Sequence, residues 1–202
     1  RLILQHDPFK DGEDFEEYLK YYNHGTMILN IKSERIEHKV LELIQKYNIK
    51  KYFFLDSSFP MIYLLSKSGE KNIALRFSEF EGIDTILNMK GKVEWIWVDC
   101  FTKLPITAEN YKLLKEHGFK FCLVSPELQG QNEKLEYYKK YLQDEGIFFD
   151  AICTKVYNID NHRRMWVDIS VSMRGDFRYN CDIHFNKSAA MGEWKNIVQK
   201  QL

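Results

Sequence analysis

The chain has 202 residues, enough for one sizeable core or for a domain with a small appendage. Hydrophobic residues make up 45% and charged residues 29%, with 29 lysines and arginines against 29 aspartates and glutamates. That balance leaves no overall field favouring nucleic acid, and Lys50-Lys51 and Lys139-Lys140 read as solvated helix ends. The longest apolar runs, such as Tyr52-Phe53-Phe54-Leu55, are far too short to span a bilayer, so no transmembrane segment is expected.

Cys100, Cys122, Cys153 and Cys181 are widely spaced, mostly inside apolar runs, and read as buried free thiols suited to a reducing, cytoplasmic compartment. Zinc is not expected. Cys181 and His184 lie three apart on a predicted strand and point to opposite faces.

The chain opens on Arg1, without a starting methionine, inside the apolar strand Leu2-Ile3-Leu4 that leads to His6-Asp7. A preceding segment is therefore expected. Pro8 and Gly12 break the regular structure after it. Phe15, Tyr18, Leu19 and Tyr22 then share a helical face, and Gly25 can end that helix. From Thr26 six apolar strands alternate with five amphipathic helices, the strands starting near Thr26, Lys51, Asn72, Val93, Phe119 and Phe148. The helix at 35–47 aligns Ile36, Val40, Leu41, Ile44 and Tyr47. Pro60 suits the first turn of a helix carrying Met61, Leu64 and Leu65. A short helix follows around Ile83 to Leu87, then one from Thr107 as N-cap to Gly118 as stop. The next turns Leu135, Tyr138 and Leu142 inward before Gly146.

Such alternation is the pattern of a parallel sheet with outer helices, so the expected fold is α/β: an incomplete TIM-type (β/α) barrel over residues 1–160. From Met165 the period changes. Val167, Ile169 and Val171 alternate with polar residues, as do Phe177, Tyr179, Cys181, Ile183 and Phe185, and a last helix from Ser188 sets Met191, Trp194, Ile197 and Val198 on one stripe. Residues 161–202 are expected to form a ββα appendage. A barrel short of strands leaves an open sheet edge, which invites self-association or covering by that appendage.

The motifs at the strand ends resemble those of the glycerophosphodiester phosphodiesterases, among the phospholipase C-like phosphodiesterase barrels, over residues 1–157. His6-Asp7 is similar to that family's second His-Asp motif, Leu29-Asn30-Ile31-Lys32 to the strand carrying a metal-binding glutamate and an active-site lysine. Asp56-Ser57-Ser58-Phe59 is similar to a strand ending in Ser-Phe, and Asp150-Ala151-Ile152-Cys153-Thr154-Lys155 to the final Asp-Gly-Ile-Ile-Thr-Asp strand. The resemblance implies hydrolysis of a small phosphodiester, a glycerophosphodiester or related head group, with His6 as general acid, Lys32 in the active site and a divalent metal, magnesium or calcium. It places Asn30 at the position of a family glutamate ligand, where an asparagine oxygen supplies no charge. The family's opening His-Arg-Gly and Glu-x-Asp motifs precede the part resembled here, so these 202 residues by themselves are expected to be inactive.

Phosphodiester chemistry needs charge neutralised on the nonbridging oxygens and an acid for the leaving oxygen. His6 is the candidate acid; its structural alternative is to cap a turn with Asp7. Lys32 and Arg76 are candidate phosphate ligands, or else ordinary ion-pair partners of Asp56, Asp99 or Glu79. Asp56 and Asp99 recur at equivalent strand ends, as candidate substrate contacts or as turn formers. Trp95 and Trp97 read as core. The competing reading of the whole is a non-catalytic phosphate-binding or structural module derived from the same barrel.

Overall fold

The computed structural model describes residues 1–154 apart from His6, Pro8 and His24. The predicted appendage at 161–202, with Cys181 and His184, lies outside the described residues.

The chain begins with β1 (Ile3–Leu4) and β2 (Glu13–Asp14), which pair antiparallel with Ile3 opposite Asp14. The first apolar stretch therefore enters a two-stranded hairpin and not the parallel series. Glycine makes the close pairing possible: a Cβ added at Gly12 would stand 2.4 Å from the Leu4 carbonyl oxygen. Asp14 then caps α1 (Phe15–Leu19), its Oδ1 accepting from the Glu16 N–H at 2.8 Å and the Glu17 N–H at 3.1 Å.

Six parallel strands follow: β3 (Met27–Asn30), β4 (Tyr52–Leu55), β5 (Ala74–Phe77), β6 (Trp95–Val98), β7 (Lys120–Val124) and β8 (Ala151–Cys153). Between them run α2 (Glu37–Lys46), α3 (Phe59–Lys67), α4 (Ile83–Asn88), α5 (Ala108–Glu116) and α6 (Leu135–Asp144). β3 pairs with β4, and β5 to β8 form a four-stranded sheet in chain order. A parallel bridge between Phe54 and Ile73 joins the two groups, with the Phe54 N–H donating to the Asn72 carbonyl at 2.8 Å. Each parallel strand thus lies beside its predecessor.

Local chemistry explains the helix ends. Thr107 and Asn110 form a capping box at the start of α5, Thr107 N–H donating to Asn110 Oδ1 at 2.9 Å and Asn110 N–H to Thr107 Oγ1 at 3.3 Å. Gly118, at φ +82°, stops the same helix in the left-handed conformation. In α3 the buried residues are Met61, Ile62 and Leu65, while Leu64 is half exposed. This helix is apolar nearly all round, so periodicity does not fix which side faces the sheet.

The sheet's two faces carry separate cores. On one, Leu29, Phe54, Leu75 and Ile96 pack with helix residues such as Val40, Ile44 and Leu65. On the other, Ile28, Phe53, Leu55, Trp95, Trp97 and Cys122 pack on one another, with the Phe53 and Trp95 rings stacked 4.5 Å apart. Burying each such side chain stabilises the fold by about 1.5–3 kcal/mol. The two tryptophans are core, as the alternation predicts. Cys100, Cys122 and Cys153 are buried free thiols, and no helix among the described residues is long and apolar enough to cross a membrane.

Candidate functional site

Because the strands run parallel, their carboxyl ends share one end of the sheet, and polar side chains gather there. Asn30 alternates with Ile28 and Arg76 with Ala74, so both point to the face of the Trp95–Trp97 cluster. Lys32 and Asp99 follow Asn30 and Trp97 at the same two-residue spacing.

These residues form a chain of alternating charge across four successive strand ends. Lys32 Nζ donates to Asp56 Oδ2 at 3.1 Å, Arg76 Nε donates to Asp56 Oδ1 at 2.7 Å, and an Arg76 terminal nitrogen donates to Asp99 Oδ2 at 2.8 Å. Asp99 Oδ1 also accepts from Gln129 Nε2 at 2.8 Å and from the Cys100 N–H at 3.0 Å. The partners that the sequence offers for Lys32 and Arg76 are the ones they take, save that Glu79 is engaged elsewhere.

Asp56 occupies the left-handed region at φ +60°, which an aspartate tolerates better than most residues. Burial works to raise its carboxyl pKa, but the Arg76 hydrogen bond and charge, with Lys32, outweigh that and hold it below the usual carboxylate range. For Arg76 burial works to lower the pKa, and the Asp56 bond and the two aspartate charges keep it above its ordinary value. Both groups are therefore ionised at neutral pH.

Beyond Asp99 the array continues through residues that the sequence did not single out. Glu127, 8% exposed, accepts hydrogen bonds from the Ser125 and Thr154 hydroxyls. Gln131 Nε2 donates to the Cys100 and Phe101 carbonyls at 2.5 and 2.9 Å. The signal available for them was a polar residue directly after an apolar strand, at Ser125 and Thr154. Cys100 lies between Asp99 and this group, and burial, then the Asp99 charge, pushes its thiol pKa up to about 12. It is therefore no nucleophile at neutral pH.

Asn30 and Lys32 also line a cavity of about 600 Å³ beside the end of β3, together with Gln5, Asp7, Phe9 and Lys10 of the N-terminal segment. His6 belongs to that segment and lies outside the described residues. Arg76, Asp56 and Asp99 do not line this cavity, so the structure brings together Lys32, Asp56, Arg76 and Asp99 as one bonded array and Asn30 and Lys32 as part of one cavity wall. Asn30 Oδ1, Ser57 Oγ and Trp97 Nε1 are buried without a hydrogen-bond partner among the described residues.

The donor set does not suit a divalent cation. Asn30 offers one neutral oxygen, Asp56 and Asp99 are already held by Arg76, and no group of three or more histidine, cysteine, aspartate or glutamate side chains among the described residues could hold a metal ion. No protein-family model matches the chain, and no curated protein matches it.

Proposed function

We propose that the described residues are part of an incomplete TIM-type barrel whose carboxyl-end mouth binds a phosphodiester, as the motif resemblance implies. Two features support the barrel. Buried residues of each helix between chain-order strands pack in one core, and the opposite face, self-buried around Phe53, Trp95 and Trp97, is what a sheet curling upon itself produces. The observation that carries the function is the meeting of Asn30, Lys32, Asp56, Arg76 and Asp99 at adjacent strand ends, the position where barrels of this kind place their chemistry.

In this reading Lys32, whose side chain is 39% exposed and bonds Asp56 at 3.1 Å, turns to the nonbridging oxygens of a glycerophosphodiester or related head group. Arg76 holds Asp56 and Asp99 in place and adds positive potential. His6 remains the candidate acid for the leaving oxygen. No step is assigned to a metal. One observation favours the non-catalytic alternative: both carboxylates beside Arg76 are consumed by it, which suits a structural clasp.

Calorimetric titration of the 202-residue chain with glycerophosphocholine tests the binding. Binding that falls about tenfold in Lys32→Ala, a loss of one charge-assisted contact, is the expected result. No measurable binding, or binding indifferent to Lys32, refutes it. Hydrolysis of a chromogenic phosphodiester with added magnesium or calcium, abolished by His6→Ala, would overturn the non-catalytic alternative.

A further inference from the structure

Asp99 has both carboxylate oxygens engaged. Oδ2 accepts from an Arg76 terminal nitrogen, while Oδ1 accepts from Gln129 Nε2 at 2.8 Å and from the Cys100 N–H at 3.0 Å. The Cys100 bond comes from the next residue of the same loop. Gln129 comes from the loop after β7, 30 residues further along the chain, so it is the bond that ties this carboxylate to the structure beyond β6.

Gln129 is presented by a braced turn. Residues Pro126–Gln129 form a single 3-10 turn, and the Gln131 N–H closes back on the Pro126 carbonyl at 3.0 Å. Two residues before Gln129, the buried Glu127 accepts from the Ser125 and Thr154 hydroxyls, which stand just after β7 and β8. Two residues after it, the buried Gln131 donates to the Cys100 and Phe101 carbonyls at 2.5 and 2.9 Å. The turn is thus fastened to three strand ends, on both sides of Gln129, and a side chain carried by so constrained a backbone sets the position of the group it bonds.

Arg76 makes one bond to each aspartate, Nε to Asp56 and one terminal nitrogen to Asp99. Because the guanidinium is a rigid planar fork, these bonds are not independent. A turn of the Asp99 carboxylate turns the whole group, and with it the second terminal nitrogen, which has no hydrogen bond among the described residues on a side chain 29% exposed. We propose that Gln129 is a positioning residue of the mouth: through Asp99 it orients the Arg76 guanidinium so that this second terminal nitrogen, with Lys32, faces the nonbridging oxygens of the bound phosphodiester. The proposal rests on the phosphodiester reading, and it adds to it a residue that bonds neither cation.

Two variants of the full chain test it. Gln129→Ala deletes the donor, and Gln129→Glu keeps the size of the side chain while turning an acceptor towards Asp99; Gln129 is only partly buried, so neither change empties a core. Calorimetric titration with glycerophosphocholine should show both variants binding about threefold to tenfold more weakly than the parent, the scale of one hydrogen bond transmitted to the ligand, with Gln129→Glu the weaker. Nitrogen-15 NMR spectra without ligand should show the Arg76 Nε–H resonance displaced in both, although Gln129 does not bond Arg76. A residue that merely fastened the turn to β6 would lower stability in urea and leave affinity and that resonance where they are. Parent-like affinity in both variants, or an Arg76 resonance that stays in place in both, overturns the proposal and leaves the phosphodiester reading standing. A parent chain that does not bind glycerophosphocholine overturns the two together.

Discussion

Replacing Arg76 with methionine removes the guanidinium that joins Asp56 to Asp99 while keeping most of the side chain's apolar stem. Breaking a buried ion pair by deleting one partner costs about 3–5 kcal/mol. Two features lower that figure here. The Arg76 side chain is 29% exposed, and Asp99, whose side chain is only 4% exposed, keeps the Gln129 and Cys100 donors. The expected destabilisation at pH 7 is about 2–4 kcal/mol, read from urea unfolding. Its pH dependence carries the sharper test. Asp56 has a folded pKa held below the ordinary range, so its pairing stabilises the parent fully above the unfolded carboxylate pKa of about 3.9, and that stability is lost as pH falls through the lower folded value. In Arg76→Met the main cause of the depression is gone and only Lys32 still lowers the Asp56 pKa, so the gap between parent and variant should narrow as pH falls below about 4. Asp99→Asn combined with Arg76→Met should show coupling of about 1–3 kcal/mol. A loss below about 1 kcal/mol at pH 7, or one that does not change with pH, would refute the clasp.

Two further outcomes follow from the local chemistry. Thr107→Ala removes half of a reciprocal capping box and should cost about 1 kcal/mol in urea unfolding, with no change in ligand binding; a neutral effect would mean that α5 is fixed by packing alone. Cys100, buried and with its thiol pKa pushed up to about 12, should resist iodoacetamide at pH 8 in the native chain and react after unfolding. Rapid native labelling, mapped by peptide mass spectrometry, would contradict its burial.

The strand and helix series from Thr26 was legible because each element carries its own signal: short apolar runs for buried parallel strands, spaced apolar residues for helices, and Thr107 and Gly118 as punctuation. The errors fall where such signals are weak. The Leu2-Ile3-Leu4 run has the composition of a parallel strand, yet a glycine eight residues beyond Leu4 lets it fold back into a hairpin, a pairing that no single window of sequence contains. At the site, placing polar residues at strand ends sufficed to bring out Lys32, Asp56, Arg76 and Asp99, since parallel strands deliver their ends to one place. Gln129, Gln131 and Glu127 stayed hidden because their loops return to the array only through tertiary folding.

The chain-order sheet has a consequence for how the molecule is made. Every parallel strand finds its partner one helix back along the chain, so sequence separation between paired strands stays near the length of a single βα unit. Loop closure for each pairing is short, and a strand leaving the ribosome meets a neighbour that has already emerged. Assembly can therefore proceed vectorially, one unit docking on the last. The charged array is completed in the same order, Lys32 waiting for Asp56, Asp56 for Arg76 and Arg76 for Asp99, so that no carboxylate of the pair is buried before the cation that neutralises it has been synthesised, except for the brief interval in which Asp56 has only Lys32.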